Sequence, residues 1–267
     1  MKLSISTLFS LILAFGLFIG AIMMETDDFT IFLSLSSFII VVCGTLAASF
    51  ISYEPRYVLL SLKLIGRIMF TPKVGRDILK AEIGRMIRWS YIVQKGGPPA
   101  LEKEAMKATR NDRFLKFGVE MVISGYTGAE VRDIMTNLIE TSFGRNTVQV
   151  HILKYMASAS PAFGMIGTLI GLVVMLNSMG EDPSALGGGL AVAMITTLYG
   201  VIFAQLVYKP AANKIMQREQ IIRFRNYLIA EGLILMADNK NPRFIQDKMN
   251  SYLDPAIHFS IDKARSK

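Results

Sequence analysis

Two long stretches without a charged side chain constrain this chain more than any other feature. Residues 155–180 and 183–208 each run for 26 residues without Asp, Glu, Lys or Arg. An α-helix needs roughly 20 apolar residues to cross the hydrocarbon core of a bilayer, so each stretch is long enough to span it. The acidic residues Glu181 and Asp182 separate the two stretches. The sequence therefore predicts a membrane hairpin of two helices.

Two further uncharged runs lie near the N-terminus, at residues 3–24 and 29–53. A signal peptide is an alternative interpretation of the first run, but the run has no evident small-residue cleavage site and lies close to the second. The composition is 52% hydrophobic, and the mean hydropathy is +0.40. We expect an all-α polytopic membrane protein with four transmembrane helices and a helical cytoplasmic domain between the second and third.

The distribution of basic residues predicts the orientation of these spans. Of the 29 Lys and Arg residues, 1 precedes the first span, 17 lie between residues 53 and 156, and 11 follow residue 208. The two short loops carry five acids and no base. Since cytoplasmic loops are enriched in Lys and Arg, we expect both termini to be cytoplasmic. The predicted segments are 1–52 (spans 1 and 2), 53–154 (cytoplasmic helical domain), 155–208 (spans 3 and 4) and 209–267 (cytoplasmic helical tail).

The net charge of +8 is interpreted as a topological and lipid-facing signal. The sequence has no helix-turn-helix, zinc-finger or RNA-binding signature, so nucleic acid is not an expected partner. It also has no nucleophile elbow, P-loop or paired-cysteine zinc site, and His151 and His258 have no obvious ligand partners. We therefore expect neither an enzyme nor a metal site.

Small and hydroxylated residues recur at helical spacing in both helices of the hairpin. One stripe consists of Pro161, Gly164, Thr168 and Gly171, and the other of Ala193, Thr197, Gly200 and Ala204, with Thr196 beside it. Residues three and four apart share one side of a helix, so each stripe forms one face. Such faces serve close helix packing or a path for ions, and the pattern leaves both interpretations open.

The four predicted spans contain no Asp, Glu, Lys, Arg or His. Ion-coupled membrane proteins normally mark their path with an ionisable group inside the membrane. If this chain conducts ions, another polypeptide must therefore supply the carboxylate.

The remaining segments predict cytoplasmic helices. One helix covers 56–70 before a break at Thr71-Pro72, and the next covers 74–93 before the glycines and prolines of KGGPP. Thr127 and Glu130 form a capping-box pattern for a helix that we expect to end near Gly144, with another helix leading into the third span. The last span should continue as a helix past residue 208, and Asn241-Pro242 should open a short final helix.

The segments PAFGMIGTLIGLVVML and AVAMITTLYGVIFAQLVYKPAANKI resemble the last two membrane helices of flagellar motor stator A subunits, the MotA/PomA family. KGGPPALE and NPRFIQDKMNSYL extend the resemblance. It implies a homo-pentamer in the bacterial inner membrane around a dimeric B subunit, which is MotB/PomB-like and binds peptidoglycan. That B subunit would supply the membrane aspartate, and a FliG-like rotor switch protein would be the partner in the cytoplasm.

The resemblance also implies roles for individual residues. Thr168, Thr196 and Thr197 would line the ion path, and Gly164, Gly171 and Gly200 would serve helix packing. Pro161 and Pro210 would bend or couple the helices, since proline lacks a backbone donor. Lys95 and Glu102 would contact the rotor. The only cofactor expected is the transported cation, and the hydroxyls favour sodium over protons by a small margin.

Two other interpretations remain. A TolQ/ExbB-like energiser of another envelope machine would use the same physics, but those chains resemble a three-span layout with the opposite N-terminal side. A structural membrane scaffold would use the small stripes for packing alone and would pass no ions.

Overall fold

The computed structural model describes residues 4–26, 29–70, 76–110, 112–177, 183–255 and 258, and these ranges are almost entirely helical. Four of the described helical stretches are long and apolar enough to cross a membrane: Thr7–Glu25, Phe29–Ser52, Gly128–Asn177 and Leu186–Ala237. The predicted all-α fold with four spans is thereby confirmed. The helices are α1 (Ile5–Glu25), α2 (Leu35–Phe38), α3 (Gly44–Ser52), α4 (Pro55–Arg67), α5 (Arg76–Gly96), α6 (Pro98–Thr109), α7 (Arg113–Ile123), α8 (Gly128–Asn177), α9 (Pro183–Ile202), α10 (Lys209–Ala237) and α11 (Pro242–Asn250).

Contacts divide the chain into two compact units. The first unit comprises Met1–Thr71 and Asn146–Gln217, and the second comprises Pro72–Arg145 and Arg218–Lys267. Each unit therefore combines two segments that are separate in the sequence. The membrane boundaries predicted at residues 52, 155 and 208 stay predictions.

In the first unit, α4 is the amphipathic helix that the sequence predicts, and Pro55 occupies its first turn. Its buried Val58 belongs to a continuous apolar cluster that also contains Leu153, Met156 and Ala211. The N-terminus of α1 is fixed to the same region, because the Ser4 N–H donates to the Met69 carbonyl at 2.7 Å.

The second span is an irregular helix. A 3-10 turn at Phe29–Phe32 precedes α2, and a π-helical turn at Ile39–Cys43 joins α2 to α3. Directly after the π turn, a Cβ at Gly44 would lie 2.4 Å from the Phe163 ring, so the absence of a side chain admits that ring. The sequence pattern did not predict this irregularity.

The predicted break near Gly144 was wrong, because α8 runs without interruption from Gly128 to Asn177. A glycine inside a helix costs only about 1 kcal/mol relative to alanine, and no proline lies nearby to remove a backbone donor. A Cβ at Gly144 would meet nothing within 4 Å, so tertiary packing does not require a break there. The capping box at the start of α8 is confirmed. The Thr127 N–H donates to Glu130 Oε2 at 2.8 Å, and the Glu130 N–H donates to Thr127 Oγ1 at 3.4 Å.

The second unit has its own core around Trp89, which is 2% exposed. The break at KGGPP is confirmed: α5 ends at Gly96, Gly97 has φ +71°, and α6 begins at Pro98. The predicted start of this helix at Val74 and the break at Thr71-Pro72 lie outside the described residues. The core also includes Ile83, Met86, Leu101, Leu115, Met135, Leu228, Leu233 and Met249.

Two charged clusters join helices of the second unit. Arg225 of α10 donates to Glu82 of α5 at 3.0 Å and to Asp112 at 2.6 Å. Asp112 also caps α7 by accepting from the Leu115 N–H at 3.0 Å. Since Glu82 is only 3% exposed, its ion pair with Arg225 neutralises a buried carboxylate.

The second cluster lies between α8 and α10. Arg223 donates two hydrogen bonds to the Glu140 carboxylate, at 3.0 and 2.6 Å, and its guanidinium lies 4.5 Å from the centroid of the Phe143 ring. Tyr227 also donates to Glu140. These bonds from Tyr227 and Arg223 lower the pKa of Glu140 below its ordinary value.

The C-terminal predictions are confirmed as well. The helix continues past residue 208 as α10, and the Asn241 side chain caps α11 by accepting from the Arg243 N–H at 2.9 Å.

Candidate functional site

The helices α8 and α9 approach each other so closely that glycines meet backbone atoms. A Cβ at Gly171 would lie 2.6 Å from the Gly189 carbonyl oxygen, and one at Gly200 would lie 2.8 Å from the Ser160 carbonyl oxygen. At Gly164 the corresponding distance to the Thr196 carbonyl oxygen is 3.1 Å. The structure thus places all three predicted packing glycines in the contact between the two helices.

Two buried hydroxyls lie inside the same contact. Ser160 donates to the Gly200 carbonyl at 3.0 Å and is fully buried. Thr196 is also fully buried, and its hydroxyl lies 3.3 Å from the Ala193 carbonyl oxygen. A Cβ at Gly167 would lie within 2.4 Å of the Thr196 side chain. Thr196 therefore packs between the helices.

Thr168 and Thr197 form a hydroxyl pair at the edge of the contact, where Thr197 is exposed and Thr168 is half-buried. Their oxygens lie 2.6 Å apart. Thr168 Oγ1 lies 3.1 Å from the Gly164 carbonyl oxygen and 3.2 Å from that of Ala193, and Thr197 Oγ1 lies 3.5 Å from the Gly164 oxygen. Four oxygens thus converge at one point on the hairpin.

This oxygen cluster has a definite chemical capacity. Each threonine hydroxyl has one proton to donate and two lone pairs to accept with. Since each proton can be donated to a neighbouring carbonyl or to the other hydroxyl, lone pairs remain for a cation or a water molecule. Neutral oxygens of this kind are ligands for hard cations. The cluster carries no formal charge, so it does not by itself neutralise a bound cation.

The two prolines occupy different helical contexts. Pro161 lies inside α8, and a Cβ at Gly200 would lie 3.1 Å from its Cα. Because proline has no N–H, the carbonyl four residues earlier loses its usual helical donor. Pro210 is the second residue of α10, directly after a π-helical turn at Phe203–Tyr208. The Lys209 N–H donates to the Ala204 carbonyl, five residues back, as in a π-helix.

Tyr199 is a residue that the sequence interpretation missed. Its hydroxyl donates to the Phe32 carbonyl at 2.6 Å and accepts from the Ser34 N–H at 3.3 Å. It therefore fixes the 3-10 turn at the start of the second span to α9, two residues after Thr197. A tyrosine in a run of small residues was the available signal, because a hydroxyl in an apolar setting usually requires a partner.

Three hydroxyls of the second span were also missed. Ser37, Thr45 and Ser49 are fully buried. Thr45 donates to the Val41 carbonyl at 2.6 Å, and Ser49 donates to the Thr45 carbonyl at 2.7 Å. The Ser37 hydroxyl donates to the Val192 carbonyl of α9 at 3.5 Å, so all three buried hydroxyls have a partner and avoid the cost of an unpaired polar group.

The two predicted rotor-contact residues lie in the second unit. Lys95 is in the last turn of α5, Glu102 is in α6, and both are exposed. The break at Gly97 separates them along the chain. Glu102 also lines a groove of about 520 Å3 between α6 and α7, which includes Lys116 and Glu120. The exposed positions make both residues accessible to another protein.

Within the described part of the chain, no group of three or more His, Cys, Asp or Glu side chains could hold a metal ion.

Comparison with known proteins gives consistent matches. The sequence model of a family described as the MotA/TolQ/ExbB proton channel family matches residues 106–226. Chemotaxis protein PomA of Vibrio alginolyticus is 30% identical over 94% of this chain and 96% of its own length. Motility protein A of Borreliella burgdorferi is 32% identical over 91% and 93%, respectively. Among solved structures, C. jejuni MotAB matches with a TM-score of 0.85 and 22% identity, over 97% of this chain and 99% of the matched chain.

Proposed function

The chain belongs to the MotA/PomA family, within the MotA/TolQ/ExbB proton channel family, and on this premise we propose that it is the A subunit of an ion-driven flagellar stator. As such it is a multi-pass protein of the bacterial inner membrane with both termini in the cytoplasm. Its partner is a B subunit, as the name of the MotAB stator complex from Bacillus subtilis indicates for that assembly.

The observation that carries this proposal is the oxygen cluster at Thr168 and Thr197. Their oxygens lie 2.6 Å apart at the accessible edge of the hairpin, in spans without Asp, Glu, Lys, Arg or His. The positive charge of a cation held there is not neutralised unless a second polypeptide supplies a negative charge. An unneutralised charge is costly in the membrane interior. The B subunit, MotB/PomB-like and bound to peptidoglycan, supplies it as a membrane aspartate.

In this mechanism, five copies of the chain form a ring around two B subunits. A cation enters from outside, reaches the B-subunit aspartate beside the threonine pair of one copy, and leaves to the cytoplasm. Each transfer moves the aspartate to the threonine pair of the next copy, so ion flow rotates the ring.

Sodium is the proposed ion. A sodium ion that loses its water needs several replacement oxygens, whereas a proton needs only the carboxylate and a water path. The Thr168 and Thr197 hydroxyls and the Gly164 carbonyl oxygen lie within 3.5 Å of one another and can provide such oxygens. Thr196 contributes by packing against Gly167 between the helices, while its hydroxyl is bonded within α9.

The cytoplasmic end of the mechanism uses the exposed charges Lys95 and Glu102. They carry opposite charges on either side of the Gly97 break, so a rotor surface with alternating charges can engage both. A FliG-like rotor switch protein is the proposed partner.

Ion flux in vesicles tests the proposal. The purified chain alone should pass neither sodium nor protons, and the chain copurified with its B subunit should pass one of them. The matched control is a B subunit whose membrane aspartate is replaced by asparagine, which retains the shape and removes the charge. Flux from the chain alone would contradict the proposal. Absence of flux from the complex, in preparations that assemble fully, would instead indicate a structural scaffold.

A further inference from the structure

An apolar cavity of about 370 Å3 lies between α1 and the turn that leads into the second span. Its lining consists of six apolar side chains: Ile19, Ile22, Met23, Phe29, Phe32 and Leu33.

The position of the cavity on membrane-spanning helices indicates that it holds hydrocarbon. An apolar cavity gives water no hydrogen-bond partners, so water does not stabilise it. The lining belongs to two helical stretches that can cross a membrane, Thr7–Glu25 and Phe29–Ser52, and in the first of these none of the most apolar part is buried. At about 30 Å3 for each water-sized group, the volume admits roughly a dozen methylene groups. The cavity therefore admits most of one lipid acyl chain.

A carboxylate at the end of α1 indicates which lipid head group the site favours. Glu25 ends α1, two residues after Met23, and is exposed. No Lys or Arg occurs between Lys2 and Arg56 to offset this carboxylate. The Glu25 carboxylate attracts a cationic amine and repels an anionic head group. We propose that the cavity binds one acyl chain of a phospholipid whose head group carries an amine, such as phosphatidylethanolamine.

One wall of the cavity is fixed by hydrogen bonds from a different span. Tyr199 of α9 donates to the Phe32 carbonyl at 2.6 Å and accepts from the Ser34 N–H at 3.3 Å. These bonds hold the backbone on both sides of Leu33, which lines the cavity. The lipid site is therefore a defined pocket on the first unit. Its occupant contacts a turn that is bonded to α9 two residues beyond Thr197.

Quenching of tryptophan fluorescence by brominated lipids tests the site in the full-length chain. The only native tryptophan is Trp89, which is 2% exposed in the core of the second unit and gives a constant background. Phe29→Trp places a reporter in the cavity, and Phe9→Trp places a matched control elsewhere on α1, where Phe9 is 64% exposed. Both variants are reconstituted in vesicles that contain increasing fractions of phosphatidylethanolamine or phosphatidylglycerol with brominated acyl chains.

We expect half-maximal quenching of the Phe29→Trp reporter at a fraction of brominated phosphatidylethanolamine about threefold lower than for the Phe9→Trp control. A threefold difference in affinity is what one exposed charge interaction contributes. Brominated phosphatidylglycerol should quench the two reporters equally. Glu25→Gln should reduce the preference for the amine lipid, and Ile22→Phe, which fills the cavity, should abolish it.

Equal quenching of both reporters by the amine lipid would overturn the proposal, since the cavity would then hold only bulk lipid. A Phe29→Trp reporter that no brominated lipid quenches would also overturn it and would show that a second copy of the chain covers the cavity.

Discussion

The hydroxyl oxygens of Thr168 and Thr197 lie 2.6 Å apart across the two helices of the hairpin, and both approach the carbonyl oxygen of Gly164. Thr196, the neighbour of Thr197, is fully buried against Gly167 on the other side of the contact. The three threonines therefore fall into two groups. One pair offers oxygens at the edge of the hairpin, and one residue fills its interior.

This division predicts different effects of substitution on ion use. Thr168→Ala or Thr197→Ala should raise the sodium concentration for half-maximal swimming speed about fivefold, the equivalent of one lost contact of about 1 kcal/mol. Thr197→Ser retains the hydroxyl and should behave like the unmodified chain. Thr196→Val should lower the amount of assembled complex without changing the sodium dependence. Swimming speed is measured while sodium is replaced by potassium at constant pH.

If rotation persists without sodium and stops with a protonophore, the transported ion is the proton. The stator assignment would stand, and the hydroxyl pair would act through water and the partner carboxylate.

The close contact of α8 with α9 predicts a strong position dependence of glycine replacement. Gly171→Ala should destabilise the chain by about 1–3 kcal/mol, because its Cβ would lie 2.6 Å from a backbone oxygen that cannot rotate away. Gly187→Ala is the matched control, since a Cβ there meets nothing within 4 Å. Thermal unfolding in detergent measures the difference. Equal stability of the two variants would show that the helices separate easily at Gly171.

Much of the fold could be predicted because its signals are local. Uncharged runs located the spans, and the residues around Thr127, Gly97 and Asn241 located helix ends by capping or backbone conformation. The helix end predicted near Gly144 was wrong, because the free-energy cost of one glycine is smaller than the stabilisation that a continuous helix provides. The π turn at Ile39–Cys43 depends on contacts between spans, so residue spacing along the chain carries no sign of it.

The candidate site was predictable only in part for the same reason. Helical spacing placed Thr168 and Thr197 on facing stripes, but it could not show that Thr196 points into the contact. The bonds from Tyr199 to Phe32 and Ser34 join residues that lie more than 160 positions apart in the sequence. Only the tertiary structure reveals such pairs.

Pro161 is expected to affect rotation more than assembly. Pro161→Leu restores a backbone N–H inside α8 and lets the helix close its hydrogen bonds next to Gly200. We expect normal amounts of protein in the membrane and a marked loss of torque, measured on tethered cells. Pro210→Leu should behave similarly, since it follows the π turn at Phe203–Tyr208. Full torque in both variants would show that these prolines have no part in coupling.

Reversal of the exposed charges at Lys95 and Glu102 should reduce swimming without reducing the amount of protein in the membrane. Neither side chain is buried, so Lys95→Glu and Glu102→Lys should change the stability of the second unit by less than about 0.5 kcal/mol. Swimming on soft agar and membrane blots are compared. Lys240→Glu is the control, because Lys240 is exposed in the same unit and does not line the groove that contains Glu102. Normal swimming with both reversals would assign the rotor contact to other residues.

Acidification is expected to weaken the cluster around Glu140. Hydrogen bonds from Tyr227 and Arg223 lower the pKa of Glu140, so its contribution to stability is present above the unfolded-state pKa of about 4.3. That contribution is lost as the pH falls through the lower pKa of the folded state. Thermal unfolding between pH 7 and pH 3 should show less pH dependence in Glu140→Gln than in the unmodified chain. Glu120→Gln, at an exposed ion pair with Lys116, should leave the pH dependence almost unchanged.

The π turn of the second span ends at Cys43, the only cysteine in the sequence. Because the residue is exposed, a thiol-specific spin label would attach at one defined point without any other change to the chain. Its position next to Gly44, where the Phe163 ring fits against the backbone, makes the mobility of such a label sensitive to movement of α8. Paramagnetic resonance spectra of the labelled chain, recorded with and without an ion gradient, would follow the helices of the first unit during transport.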